Sequence, residues 1–284
     1  MDASMRKGLV FITISSLSYA FVIIITKAGL NQGLESSSFT FLTMAFALLV
    51  LLPYYFSKKR EVINQYDYIQ FLFIGVLASG IAHLFFFFGQ SYTSAINAGF
   101  IAKLTTLFTA FFAFFLVCER LQRIDWIAIA ISFVGVYLIS TRGSFEPQLG
   151  DSLILISSIF LGFSNAYAKR LMKNHSSRTI VVWRTIFGIP LLFLFSIFFS
   201  RNPFSALSFI VLLNGLFMGI TVMFLYKSIE VIGPSLSSTL FFISPIFSTI
   251  LAVIILKEIL VSSQIIGGII ILLGTFLIAK RFHV

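Results

Sequence analysis

The chain alternates long apolar runs with brief polar punctuation from one end to the other. The runs are bounded by polar flanks at 8–28, 38–56, 68–90, 94–117, 123–140, 151–169, 178–200, 205–226, 233–256 and 262–280. Each is close to the roughly 20 residues a helix needs to cross a bilayer. None shows the period-two alternation of a membrane barrel strand. The connections between them leave no room for an extramembrane domain. The pattern predicts an all-α polytopic membrane protein of ten transmembrane helices. The first run follows Met1-Asp2-Ala3-Ser4-Met5-Arg6-Lys7, which offers no small-residue cleavage site, and it predicts a retained helix rather than a signal peptide.

The polar punctuation is written twice. Glu119-Arg120-Leu121 leads into a run ending Gly135-Val136-Tyr137-Leu138-Ile139, and Glu258-Ile259-Leu260 leads into one ending Gly274-Thr275-Phe276-Leu277-Ile278, an offset of about 139 residues. Gly8 and Gly150 open a second matching pair, offset by about 142 residues, which carry Ser15-Ser16 and Ser157-Ser158 and end at Lys27 and Lys169. These matches divide the chain into repeats at 1–145 and 146–284. Five spans is an odd number, so the second repeat enters the membrane inverted, and an inverted pair has two nearly equivalent ways to open. Lys and Arg set the orientation. Arg6, Lys7, Lys58, Lys59, Arg60, Arg120, Arg123, Lys169, Arg170, Lys173, Arg178, Lys227, Lys280 and Arg281 fall on the side of the N-terminus; the other side holds Lys27, Arg142, Arg201 and Lys257. That bias places both termini in the cytoplasm.

Composition agrees with lipid as the solvent. The chain is 58% hydrophobic and 11% charged, against roughly 45–50% and about 25% in a soluble domain. The formal charge of +10 lies between apolar runs rather than on one face, which fits lipid headgroups and topology signals and not nucleic acid. A single cysteine, Cys118, excludes an intrachain disulfide and a cysteine metal cluster. No phosphate-binding glycine loop, metal-ligand set or Asp–His–Ser arrangement is present, so no enzyme, cofactor or metal is expected.

Candidate chemistry is confined to a few polar side chains inside the runs. Lys103 lies roughly 14 Å from either polar boundary at 1.5 Å per residue, beyond the ~6 Å reach of its stem. A charge at that depth costs about 2.5–3.5 kcal/mol on insertion scales. It binds an anionic group of a solute, exchanges protons, or pins a neighbouring helix through backbone carbonyls. Its counterpart in the second repeat is Phe242, so the scaffold does not impose it. His83 either satisfies a buried carbonyl or serves proton coupling and solute binding; His175 and His283 fall in polar flanks. Tyr19 and Asn165 occupy spans one and six, which correspond in the repeat, and either line a cavity or bond helix to helix. Arg184, about six residues into its run, is expected to snorkel to the cytoplasmic interface. Every Asp and Glu falls in a loop or at a span end, leaving no mid-membrane carboxylate to carry protons or sodium. Gly99, Gly135, Gly267, Gly268 and Gly274 predict close helix packing, and the Phe runs predict lipid-facing or packing surface, with Phe242 as an apolar cavity wall.

The stretch Ser237-Ser238-Thr239-Leu240-Phe241-Phe242-Ile243-Ser244-Pro245-Ile246-Phe247, continuing to Leu256-Lys257-Glu258, and its partner from Asn97-Ala98-Gly99-Phe100 to Cys118-Glu119, resemble the EamA-type transporters of the drug/metabolite transporter superfamily. Two positions depart from that pattern: Thr106 stands opposite Pro245, and Phe41-Leu42-Thr43 stands where an Arg is favoured, while Trp183-Arg184 keeps it. The resemblance implies a secondary transporter in the cytoplasmic (inner) membrane. It would export a small polar metabolite, an amino acid or related carboxylate-bearing solute, by alternating access, as facilitator or proton-coupled antiporter. The implied cavity lies near the midplane, walled by spans one, three, four, six, eight and nine. Lys103, His83, Tyr19, Asn165 and Phe242 are its candidate lining, His83 and Lys103 the candidate proton groups, and Pro245 and Gly99 the candidate helix breaks. Expected partners are the solute and the bilayer, with the chain as monomer or homodimer. Alternatives are a carrier of organic cations or drugs and a non-transporting sensor or scaffold, the latter disfavoured by the short loops.

Overall fold

A computed structural model describes residues 3–57, 61–117, 123–141, 148–200, 202–233, 237, 240–241 and 243–280. All regular structure among these residues is helical. In order, the helices are α1 (Ala3–Asn31), α2 (Ser36–Phe56), α3 (Gln65–Ile74), a π-helical segment (Gly75–Ala82), α4 (His83–Ser91), α5 (Ala95–Ala102), α6 (Leu104–Val117), α7 (Arg123–Thr141), α8 (Leu149–Leu171), α9 (Ser177–Phe199), α10 (Phe209–Ile232), α11 (Ile243–Ile255) and α12 (Ser262–Lys280). Helices are the expected outcome, because a backbone in hydrocarbon must satisfy its own hydrogen bonds. Seven stretches are long and apolar enough to cross a membrane: Ser4–Asn31, Ser36–Phe56, Gln65–Ser91, Ala95–Leu116, Leu149–Leu171, Ser177–Phe199 and Phe209–Ile232. Shorter apolar stretches lie at Ala130–Ile139, Ile243–Ile255 and Ser262–Gly274.

The helices pair in a pattern that survives exchange of the two halves. α1 packs on α10, as α8 packs on α4 and the π segment. α2 packs on α10, as α9 packs on α3 and the π segment; α8 packs on α5 and α6, as α1 packs on α11. Three further pairs, α7 with α12, α2 with α9 and α5 with α11, map onto themselves. Individual bonds repeat too. Ser15 donates its hydroxyl to the carbonyl of Thr221 at 2.7 Å, and Ser157 donates to the carbonyl of Ala82 at 2.7 Å. Ser157 and Ala82 stand to Ser15 and Thr221 as the two sequence offsets require.

Small residues let these pairs approach backbone to backbone. A Cβ on Gly135 would lie 2.7 Å from the carbonyl oxygen of Gly267, and one on Gly89 would lie 2.8 Å from that of Gly150.

Polar contacts join the helices at both ends of the bundle. At one end Asp151, buried at the start of α8, accepts from the Thr93 hydroxyl and from Asn97 Nδ2, and Gln264 Nε2 donates to Asn97 Oδ1 at 2.6 Å. There Glu258 accepts from the backbone N–H of Ala95 (2.8 Å) and Ile96 (3.1 Å), capping α5 from the other half of the chain. At the opposite end Glu61 accepts from the Ser176 N–H and lies 3.7 Å from Arg178, joining the loop after α2 to the start of α9. Burial pushes the Glu61 carboxyl up, but the Ser176 hydrogen bonds and the Arg178 charge outweigh it and hold it below the usual range.

Candidate functional site

Between those two ends lies a cavity of about 90 Å³ lined by Tyr19, His83, Ala102, Lys103, Thr105, Thr106, Leu161, Asn165, Arg184, Met218, Thr221, Val222, Leu225 and Phe241. Its walls come from α1, α4, α5, α6, α8, α9 and α10, so both halves of the chain contribute. The space holds only a few waters. Four of the five lining residues expected from the sequence, Tyr19, His83, Lys103 and Asn165, are brought together here. The fifth, Phe242, lies outside the described residues; its neighbour Phe241 supplies an aromatic wall, with its ring 5.4 Å from that of Tyr19.

Two of the polar side chains, His83 and Lys103, are delivered by local irregularities. The π segment ends at Ala82, and His83 begins α4 with Nδ1 donating to the Ala78 carbonyl inside the widened turn. That leaves Nε2 as the ring atom not committed to this bond. π turns of this kind are uncommon and recur at functional sites. Ser157 satisfies the Ala82 carbonyl from α8.

Lys103 sits where α5 stops and α6 starts. Its N–H bonds the Phe100 carbonyl at 3.1 Å and its own carbonyl accepts from Thr106 at 3.0 Å, a tightened turn rather than continuous α-helix. The side chain is 3% exposed, and Nζ lies 5.5 Å from the centre of the Phe241 ring.

The break at Lys103 differs from the expected one. α5 runs through Gly99 without interruption, and a Cβ there would strike the Ser248 hydroxyl and lie 3.7 Å from Pro245 Cα. Gly99 therefore marks a close crossing of α5 and α11. Pro245 is the third residue of α11, in the first turn, where a missing N–H removes no intrahelical bond.

Arg184 departs furthest from expectation. It does not snorkel to the interface; it is 3% exposed and lines the cavity. Its Nη1 donates to the Tyr226 hydroxyl and its Cζ lies 4.8 Å over the Tyr226 ring. Its Nε is buried without a hydrogen-bond partner. The cause is packing: a Cβ on Gly75 would lie 2.6 Å from the Arg184 carbonyl, so α9 sits directly on the π segment and turns this face inward. The usable signal was the distance of Arg184 from its polar boundary together with the lack of a mid-membrane acid. Thr105 and Thr106 were not singled out as lining either, for want of any signal beyond their nearness to Lys103.

Chemically, the cavity combines two ammonium- or guanidinium-bearing residues, an imidazole, hydroxyls and one amide. No Asp or Glu is among its described lining residues.

A family model described as the EamA-like transporter family matches this chain twice, at residues 6–141 and 148–280. An uncharacterised transporter of Methanothermobacter thermautotrophicus is 27% identical over 78% of this chain and 67% of its own length. One from Clostridium kluyveri is 23% identical over 96% of this chain and 93% of its own length. The uncharacterised transporter YyaM of Bacillus subtilis is 22% identical over 84% and 82%. One protein of known crystal structure superposes with a TM-score of 0.67, covering 97% of this chain and 98% of that one at 18% identity, which extends the likeness to the fold.

Proposed function

This chain belongs to the EamA-like transporter family, and we propose that it is a secondary transporter exporting a small carboxylate-bearing solute by alternating access. The observation that carries the solute class is the meeting of Lys103, His83 and Arg184 in one buried cavity whose described lining holds no acid. Cationic and imidazole side chains facing one cavity, with no acid in its described lining, favour an anionic solute over a cationic one.

The mechanism rests on ten crossings arranged as two inverted repeats, 1–145 and 146–284, with both termini cytoplasmic. Support comes from the double family match and from helix pairings and serine bonds that recur when the halves are exchanged. In such a frame the Asp151–Asn97–Gln264 and Glu258 contacts hold one end shut, and the Glu61–Ser176 contacts the other. The cavity lies between these two sets of contacts, and the halves part to admit solute. A facilitator is favoured over an antiporter, since no carboxylate lines the cavity among the described residues and His83 Nδ1 is committed to Ala78.

Flux of carboxylates and of organic cations into proteoliposomes tests this, with and without Lys103→Ala. Loss of a buried charge contact costs about 2 kcal/mol or more, so Lys103→Ala is expected to weaken carboxylate transport about 30-fold. Transport of cations alone, or an unaffected Lys103→Ala variant, would overturn the reading.

A further inference from the structure

Resting on that reading, we propose that the solute is a small dianion, with carboxylate or phosphate groups at two positions, and not a zwitterionic amino acid. The argument is one of charge matching. Lys103 comes from the first half and Arg184 from the second, on different walls of one cavity. Both are 3% exposed. The guanidinium donates to the Tyr226 hydroxyl and lies over its ring, and its Nε has no hydrogen-bond partner among the described residues. Arg prefers planar, two-point recognition of carboxylate or phosphate, and a neutral phenol uses only part of its donor fork.

An amino acid brings one carboxylate and one ammonium. Its carboxylate would satisfy a single cation, and its ammonium would enter a cavity already holding two. The described lining supplies no carboxylate to receive it, and the aromatic face of Phe241 already lies beneath Lys103 Nζ. A dianion supplies one anionic group for Lys103 and a second for Arg184, while the Thr105 and Thr106 hydroxyls and the Asn165 amide serve any remaining polar atoms. The cavity volume of about 90 Å³ limits the solute to a few carbons.

The test uses the full chain in proteoliposomes with four probes: succinate, 3-phosphoglycerate, lactate and alanine. Succinate or 3-phosphoglycerate is expected to be carried at least about tenfold better than lactate or alanine, the tenfold corresponding to loss of one charged contact. Which of the two is preferred, the dicarboxylate dianion or the phosphate-bearing acid with its charge of about −2.5 to −3, separates carboxylate from phosphate at the second position. In Arg184→Gln the dianion preference should collapse toward the lactate rate, and Arg184→Lys should restore part of it. A melting curve and size-exclusion profile like wild type qualify each variant as folded. Equal handling of alanine and succinate, or an unchanged preference in a folded Arg184→Gln, overturns the dianion assignment while leaving the transporter reading intact. Absence of flux for every probe and for organic cations overturns both.

Discussion

An inside-positive potential of about 59 mV is expected to raise equilibrium accumulation of a dianion in proteoliposomes about 100-fold, against about tenfold for a monoanion and no change for a zwitterion. The factor follows from charge alone: a facilitator moves its solute with whatever charge the solute bears. The cell interior is negative, so the same potential expels an anion. Two charges amount to about 4.6 kcal/mol per 100 mV, enough to drive export with no proton partner. The cavity chemistry and the proposed export direction then have one physical cause. The measurement is succinate accumulation against a potassium gradient clamped with valinomycin. A dianion whose accumulation ignores the potential would mean that protons compensate its charge, and His83 would regain a coupling role.

Gly150→Ala is expected to destabilise the protein by about 1–3 kcal/mol, the usual range for overpacking, and Gly8→Ala by clearly less. The two glycines are counterparts in sequence, and Gly8 lies against α10 as Gly150 lies against α4. Their surroundings differ in what can yield. A methyl on Gly150 would run into the carbonyl oxygen of Gly89 and lie 2.7 Å and 2.8 Å from backbone atoms of Tyr92 and Thr93. Backbone can move only by shifting α8 from α4, next to the Asp151 bonds with Thr93 and Asn97. The three atoms nearest a methyl on Gly8 all belong to the side chain of Ile232, whose outer carbons can rotate away. Thermal unfolding in detergent reads the difference, at roughly 2–4 °C per kcal/mol for a chain of this size. Equal shifts for the two variants would show that helix separation, not side-chain adjustment, relieves both.

Much of the architecture was legible because lipid imposes a simple rule: apolar runs become helices, and polar flanks end them. The cavity was legible for a related reason, since Lys103 and His83 are too deep to be lipid-facing. What stayed hidden depends on helix rotation. In water an amphipathic stripe announces the buried face, but here lipid and core are both apolar and the stripe is missing. Arg184 was therefore judged by its depth alone, and its inward turn came from the contact of α9 with Gly75. The break at Lys103 carries no Pro or Gly, and the π segment no sequence mark, so the expected break fell on Gly99.

The Glu258 cap has a consequence for how the two faces share the carrier's time. Duplicated contacts, such as the paired serine bonds, contribute equally to both closures and cancel in the comparison. The cap does not cancel. Glu258 receives two backbone donors, from Ala95 and Ile96. At the repeat offset the sequence counterparts of those donors are Pro234 and Ser235 and that of Glu258 is Glu119, and proline has no N–H to give. One missing hydrogen bond to a charged group is worth about 1.5–3 kcal/mol, a skew of roughly ten- to a hundredfold in dwell time. With the topology proposed above, the unloaded carrier rests sealed at its outer face and waits for solute from within. Pro234→Ala should narrow that skew, as read by the relative labelling of cysteines placed at the two ends.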